Sequence, residues 1–293
     1  KVDREMTMGE LILGTSIWSE KTCVGSFYPA GTKPGDMLAL YAETYRAVEA
    51  DVTYYRIPSE RMVRTWAQVT PPGFTLCAKF PRSIVHAGQG KEPDPDVLLV
   101  PGKVGADVES FLAAMSLLGG KCGPLVLQLP YFNRKVFAGP EKFLDRLDRF
   151  LGGLPRKFRY AVEVRNRAWL APPLLDLLRS HRAALVLVDM TYMPHPADIE
   201  ELDPVTADFT YGRLIGDRKA VESVTDRFDR VVVNQGPRLE RWAGLLARLV
   251  PRVERAYVFA NNHYAGHAPE TLRALARMMA DAGVTPGPPQ GKR

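Results

Sequence analysis

The sequence predicts a single (β/α)8 barrel, an α/β TIM-barrel fold in which eight parallel strands alternate with helices. Eight short runs rich in β-branched and aromatic residues are spread along the whole chain, and stretches with helical spacing of apolar residues separate them. The length of 293 residues suits one domain of this kind, which needs about 250. An open doubly wound sheet is the rival architecture, but no glycine-rich nucleotide turn follows the first run.

The predicted strands are residues 11–18, 48–55, 75–81, 124–130, 159–165, 183–190, 209–216 and 255–262. Helices are predicted between them, from residue 36 towards 46 and at 59–69, 109–118, 141–151, 172–180, 239–249 and 269–282. Asp36 and Ser59 are residue types that cap the start of a helix, and Pro269 suits a first helical turn. Loops are predicted at 84–105 and 191–208, after strand ends, where barrel enzymes place substrate loops.

Composition limits the class of protein. Hydrophobic residues make up 46% and charged residues 25%, as in ordinary globular chains, and the net charge of +6 favours anionic partners only weakly. Cys23, Cys77 and Cys122 are odd in number and widely spaced, which favours a reducing, cytoplasmic compartment over a disulfide framework. No apolar run approaches the roughly 18 residues of a membrane span, so no membrane partner is expected. Residues 1–10 are predicted to be an N-terminal extension, 11–283 the barrel and 284–293 a flexible tail.

The functional signal is the position of the polar residues at strand ends. Alternation with period two places Glu49 and Asp51 on one face of the second strand, and Glu163 and Arg165 on one face of the fifth. Similar polar ends close the other strands, namely Lys79, Gln128, Asp189, Arg213, Asn261, Asn262 and His263. A charge that is buried without a partner costs several kcal/mol, so these strand ends cannot all lie in an apolar core. We therefore predict that they share a partly solvated cavity at the C-terminal mouth of the barrel. The alternative is a set of paired structural charges that hold the barrel top together.

Segments along nearly the whole chain resemble the YecE-like family, also called domain of unknown function 72. They are Gly14-Thr15-Ser16-Ile17-Trp18, Phe27-Tyr28-Pro29, Val48-Glu49, Tyr54-Tyr55-Arg56-Ile57-Pro58-Ser59, Thr65-Trp66, Pro71-Pro72-Gly73-Phe74, Lys79-Phe80-Pro81, Gly123-Pro124-Leu125, Gln128-Leu129-Pro130, Val162-Glu163-Val164-Arg165 and Asn261-Asn262-His263-Tyr264 with Gly266 and Ala268-Pro269. The resemblance implies a (β/α)8 barrel and brings no established reaction.

Three positions depart from the family pattern. Asp51 stands where the resemblance leads us to expect Asn, and Asn166 and Ile215 stand where it leads us to expect His. If those histidines act in acid–base or metal chemistry, this member has an altered or reduced activity.

The first functional hypothesis is an enzyme that acts on a phosphate-containing or other anionic substrate, in the manner of a hydrolase or phosphodiesterase. Glu49, Glu163 and Asp189 are its candidate bases or metal ligands, and His263 its candidate acid. The candidate substrate-binding residues are Trp18, Tyr55, Arg56, Lys79, Gln128, Arg165, Arg213, Asn261 and Asn262. The segment 262–267 leads into a helix N-terminus after the eighth strand, where barrels often bind phosphate. A divalent metal, Mg²⁺ or Mn²⁺, could be held by the carboxylates and the histidine, although the HExxH and CxxC spacings are missing.

Two alternatives stay open. One is isomerase, epimerase or lyase chemistry on a small sugar or acid, with Glu163 or Asp189 abstracting a proton and Lys79 as a candidate Schiff-base residue. The other is a non-catalytic nucleotide or nucleic-acid binding module, in which aromatic residues stack on bases. The aromatic candidates are Trp18, Tyr54, Tyr55, Trp169 and Tyr264, for which packing in the cavity wall is the alternative interpretation.

Overall fold

The computed structural model describes residues 9–88 and 90–287, and it shows a closed barrel of eight parallel strands in chain order. The strands are β1 Glu10–Thr15, β2 Ala47–Ala50, β3 Thr75–Lys79, β4 Cys122–Gln128, β5 Tyr160–Glu163, β6 Ala184–Met190, β7 Phe209–Gly216 and β8 Arg255–Ala260. Hydrogen bonding between β1 and β8 closes the ring, so neither strand leaves an open edge. The predicted fold class is confirmed.

Helices follow the strands and cover the outside of the barrel. They are α1 Met37–Tyr41, α2 Val52–Tyr55, α3 Glu60–Val69, α4 Arg82–Val85, α5 Pro101–Ser116, α6 Pro140–Gly152, α7 Pro172–His181, α8 Arg218–Glu222, α9 Gly236–Leu249 and α10 Ala268–Asp281. Ser59 caps α3 as predicted, because its hydroxyl accepts a hydrogen bond from the N–H of Met62. Asp36 precedes α1 without making a side-chain capping bond.

The apolar residues form two separate layers. Inward-facing side chains such as Ile12, Val126 and Tyr211 fill the barrel, whereas outward-facing ones such as Val162 and Leu185 pack beneath the helices. Along β6 the inward positions are Ala184, Val186, Val188 and Met190, so the residues between them face the helices. This alternation decides which strand-end side chains reach the mouth.

Several predicted boundaries are wrong, among them the end of the first strand, which was expected at Trp18 and lies at Thr15. The second strand was expected to run to Tyr55, but it ends at Ala50 and residues 52–55 form α2. The Thr53 hydroxyl lies 2.8 Å from the Lys79 carbonyl and accepts the Lys79 N–H at 2.9 Å, which ties this turn to β3. The loop predicted at 84–105 ends earlier, since α5 begins at Pro101.

The predicted end segments fall partly outside the described residues. Residues 1–8 of the extension and 288–293 of the tail lie outside them, and Glu10 belongs to β1. The start of the predicted flexible tail packs on the barrel, because Val284 is buried and the Gly287 N–H donates to the Leu11 carbonyl at 3.1 Å. Among the described residues, no helix is long and apolar enough to cross a membrane.

Candidate functional site

Arg213, on β7, is the centre of a buried ionic network at the carboxyl end of the barrel, which we call the mouth. Its guanidinium donates to Glu49 Oε1 at 2.8 and 3.2 Å, to Gln128 Oε1 at 2.9 Å, and to Glu163 Oε2. Arg213 and the two carboxylates are almost fully buried. The strands β2, β4, β5 and β7 are therefore joined across the barrel interior by one planar cation.

Both buried carboxylates have several donors. Glu49 also accepts the Tyr211 hydroxyl at 2.7 Å and lies 3.4 Å from the Lys79 ammonium. Burial alone would raise the pKa of Glu163, but Arg213 and Arg165 outweigh it and bring that pKa down to about 2. Glu163 is therefore a permanent carboxylate at neutral pH and a weak base. Tyr211 escaped the sequence reasoning, although its position two residues before Arg213 places it on the same face.

Two further cations flank this network, Lys79, which is buried, and Arg165, which is partly exposed. Lys79 on β3 pairs with Asp51, whose side chain is 34% exposed. Arg165, which follows β5, donates through Nε to Glu163 Oε1 at 2.8 Å and keeps 22% of its side chain exposed. The terminal nitrogens of Arg165 have no hydrogen-bond partner in the described part of the chain. The floor of the mouth thus combines three carboxylates and three cations, with Arg165 free to make further bonds.

The neighbouring donors fix which atom of the Gln128 and Asn261 amide groups is the oxygen and which is the nitrogen. Arg213 can only donate, so the atom of Gln128 that it contacts is the carbonyl oxygen. The backbone N–H of His263 donates to Asn261 Oδ1 at 2.9 Å, which fixes that amide as well. In both residues the NH₂ group has no partner among residues 9–88 and 90–287, and it is left to donate.

Asp189 does not reach the mouth. It occupies an outward position of β6, where it accepts the Trp242 indole N–H at 2.9 Å, the Tyr264 hydroxyl at 2.9 Å and the Arg238 guanidinium. The His195 ring lies 3.6 Å away. The expectation that Asp189 shares a cavity with Glu163 is not met, because β6 turns Val188 and Met190 inward instead.

The segment after β8 is also arranged differently from the expectation. Nδ1 of His263 lies 2.9 Å from Asn261 Oδ1 and Nε2 lies 3.2 Å from Glu222 Oε1, so the ring contacts α8 rather than a floor carboxylate. Asn262 is buried, and its side-chain oxygen accepts the Ala268 N–H at 2.9 Å. This bond caps α10 from within the chain. A phosphate would have to displace the bond, so the start of α10 is not the open anion site that was expected.

The remaining predicted residues lie at the rim or in the packing. Tyr55 is 73% exposed and Arg56 is also exposed, after β2. Trp18 is half-buried and packs edge-on against Trp66 of α3, with ring centroids 5.6 Å apart. Trp169 and Tyr264, considered for base stacking, are buried. For these two, packing is the interpretation that the structure supports.

Each departure from the family pattern has a defined place. Asp51 neutralises Lys79. Asn166 exchanges two hydrogen bonds with the backbone of Phe132, at 2.9 and 2.8 Å, and so joins the loops after β4 and β5. Ile215 packs against the apolar filling of the barrel. Within the described residues, no group of three or more His, Cys, Asp or Glu could hold a metal ion.

A cavity of about 950 Å³ lies at the opposite end of the barrel. Its lining includes Arg156, Lys157 and Arg182 together with the last turns of α5, α6 and α7. The carbonyl ends of helices carry negative charge, which these cations complement without any ligand. We therefore place the candidate site at the mouth, where buried charges converge, and not in this cavity.

Comparisons with known proteins agree with this fold. Residues 12–293 match the family described as "Protein of unknown function DUF72". The UPF0759 protein YecE of Escherichia coli strain K12 is 34% identical over 131 residues. These residues are 45% of this chain and 42% of that protein, so the match spans less than half of the curated relative. A DUF72 protein from Thermotoga maritima has 26% identity and a TM-score of 0.69, covering 93% of this chain and 98% of its own. A DUF72 protein from Enterococcus faecalis has 18% identity and a TM-score of 0.68, with coverages of 97% and 99%.

Proposed function

The chain belongs to the DUF72 family of proteins of unknown function, and from that premise we propose that it binds a phosphate-containing or other anionic small molecule at the mouth. One observation carries the proposal. The buried carboxylates on the floor of the mouth are engaged within the chain through both oxygens, whereas several donors are not engaged. Glu49 and Glu163 accept from Arg213, and the oxygens of Gln128 and Asn261 are occupied.

Apart from the second carboxylate oxygen of Asp51, whose side chain is 34% exposed, the groups left over in the described residues can all donate. They are the guanidinium end of Arg165, the third proton of Lys79 and the NH₂ groups of Gln128 and Asn261. A ligand that fits such a lining must be rich in acceptors, and a phosphate or carboxylate group is the simplest one. Arg56 on the rim adds positive charge along the approach.

Turnover is the finer part of the proposal, in the form of hydrolysis of a phosphate ester, in which water attacks phosphorus, the P–O ester bond breaks and the alcohol leaves with one proton of the water. The cations of the mouth would stabilise negative charge that develops on the phosphoryl oxygens, and the buried carboxylates would hold those cations in place. Glu49 and Glu163 thus act as positioning residues here. A panel of phosphomonoester, phosphodiester and sugar-isomerase substrates tests this reaction against the isomerase and binding-module alternatives.

The binding itself is tested by calorimetric titration with inorganic phosphate. Arg165→Gln removes the available guanidinium and should weaken binding by at least about tenfold, the value of a charge-assisted hydrogen bond. Arg159→Gln removes the same charge at the opposite end of the barrel, beside Glu254, and should leave the Kd within about twofold because screening weakens distant charges. Absence of phosphate binding, or equal losses in both variants, contradicts the proposal.

A further inference from the structure

The free donors of the mouth are not distributed evenly. Both cations lie on one side, Lys79 on β3 and Arg165 after β5, and the neutral donor Gln128 lies between them on β4. The neutral donor Asn261 follows β8, and Ser16 follows β1, on the side of the barrel where the ring closes. A ligand on this floor therefore meets charge at one side and uncharged hydrogen-bonding groups at the other.

Ser16 is the residue that the proposed function leaves unexplained. It is 1% exposed, and its hydroxyl has no hydrogen-bond partner in the described residues. Its backbone N–H donates to the Ala260 carbonyl at 3.0 Å, so the ladder between β1 and β8 extends to this position. Since Ile12 faces inward, alternation turns Ser16 inward as well.

The neighbours of Ser16 do not supply the missing partner. The register of β1 against β2 pairs Thr15 with Val48, which places Ser16 next to Glu49. The oxygens of Glu49 are taken by Tyr211, Arg213 and Lys79. A buried hydroxyl without a protein partner is costly unless water or a ligand completes its bonding, and at the floor of the mouth a bound ligand can do so. The Ser16 hydroxyl both donates and accepts; a ligand hydroxyl can use both of these capacities, whereas a phosphate oxygen can only accept.

We infer that the ligand of this mouth is a phosphorylated polyol, which binds its phosphate at Lys79 and Arg165 and its hydroxyl groups at Ser16 and Asn261. This inference rests on the proposed function, because it requires an anion in the mouth. It adds the substrate class, and it makes Ser16 a specificity-determining residue.

Two probes that differ only in hydroxyl groups test the inference. Glycerol 3-phosphate and n-propyl phosphate have the same charge and carbon chain. Wild-type protein should bind glycerol 3-phosphate at least about fivefold more tightly, the ratio expected for one net hydrogen bond. Ser16→Ala should remove most of this preference while the Kd for n-propyl phosphate changes by less than about twofold. Ser180→Ala, at the other end of the barrel, should keep the preference.

The stability of the unliganded protein gives an independent readout. Because the hydroxyl has no partner, Ser16→Ala should melt at the wild-type temperature or above it. A clear drop in Tm would give the hydroxyl a structural role and overturn the inference.

The outcomes separate this inference from the proposed function. If neither probe binds, both fail together. If both probes bind equally, or if Ser16→Ala weakens both by the same factor, anion binding stands and the polyol assignment is overturned.

Discussion

Removal of Arg213 tests whether the ionic network of the mouth is as buried as its geometry indicates. Arg213→Met leaves Glu49 and Glu163 without their shared cation, at sites with no solvent exposure. Breaking a buried pair in this way costs about 3–5 kcal/mol, because uncompensated charge stays in a low-dielectric interior. The variant should lose that much free energy of unfolding at pH 7 in urea titrations. It should recover part of the loss at lower pH, where the carboxylates take up protons.

Two controls define the effect. The triple variant Glu49→Gln, Glu163→Gln, Arg213→Met removes the charges together and should be more stable at pH 7 than Arg213→Met alone. Arg248→Met breaks an exposed pair with Glu200 and should cost less than about 1 kcal/mol. If Arg213→Met costs as little as Arg248→Met, the network is solvated and the reasoning is refuted.

Three more predictions concern single carboxylates. Although burial opposes it, Arg213 and Arg165 hold the pKa of Glu163 near 2, against an ordinary value of 4.5. The ionised carboxylate therefore adds about 3 kcal/mol to the free energy of unfolding above pH 4.5, and this contribution disappears as pH falls towards 2. Acid unfolding of Glu163→Gln should lack this component. Asp51→Asn releases Lys79 and should tighten phosphate binding by about fivefold in calorimetry; weaker binding would contradict this. Asp189→Ala should lower the free energy of urea unfolding by about 2–4 kcal/mol, because it removes the acceptor of the Trp242 and Tyr264 hydrogen bonds. It should keep the phosphate Kd within about twofold, because Asp189 lies outside the mouth. A large change in Kd would show that Asp189 takes part in binding.

The parts of the site that could be predicted are those with alternating polar and apolar residues. In β2 and β5 the residues on either side of Glu49 and Glu163 are apolar, so the sequence itself indicates that the two carboxylates share the inward face. Arg213 follows the same logic, because Phe209 and Tyr211 alternate with Thr210 and Gly212 before it, whereas Lys79 ends a run of three apolar residues and its inward orientation is seen only in the structure.

Asp189 shows why the remainder could not be predicted. It follows four apolar residues in a strand that is buried on both faces, so the sequence does not show which of these residues face the barrel interior. Its partners Arg238 and Trp242 come from α9, 49 and 53 residues further along the chain. Asn262 poses a similar problem, because an amide after a strand suits a ligand site and a helix cap equally well.

The orphaned hydroxyl of Ser16 is beyond sequence reasoning for another reason. A serine after a strand is common in loops, and its significance lies in the missing partner, which requires the positions of all its neighbours. Gln128 and Asn261 are similar, since the donors that orient their amides come from other strands or from the following turn.

The central claim, that the mouth binds an anion through its free donors, is tested most directly by a crystal structure of the protein soaked in glycerol 3-phosphate. The account predicts phosphate oxygens within hydrogen-bond distance of Arg165 and Lys79, about 2.7–3.0 Å. A phosphate bound instead in the opposite cavity beside Arg156 and Arg182, with none in the mouth, would contradict it.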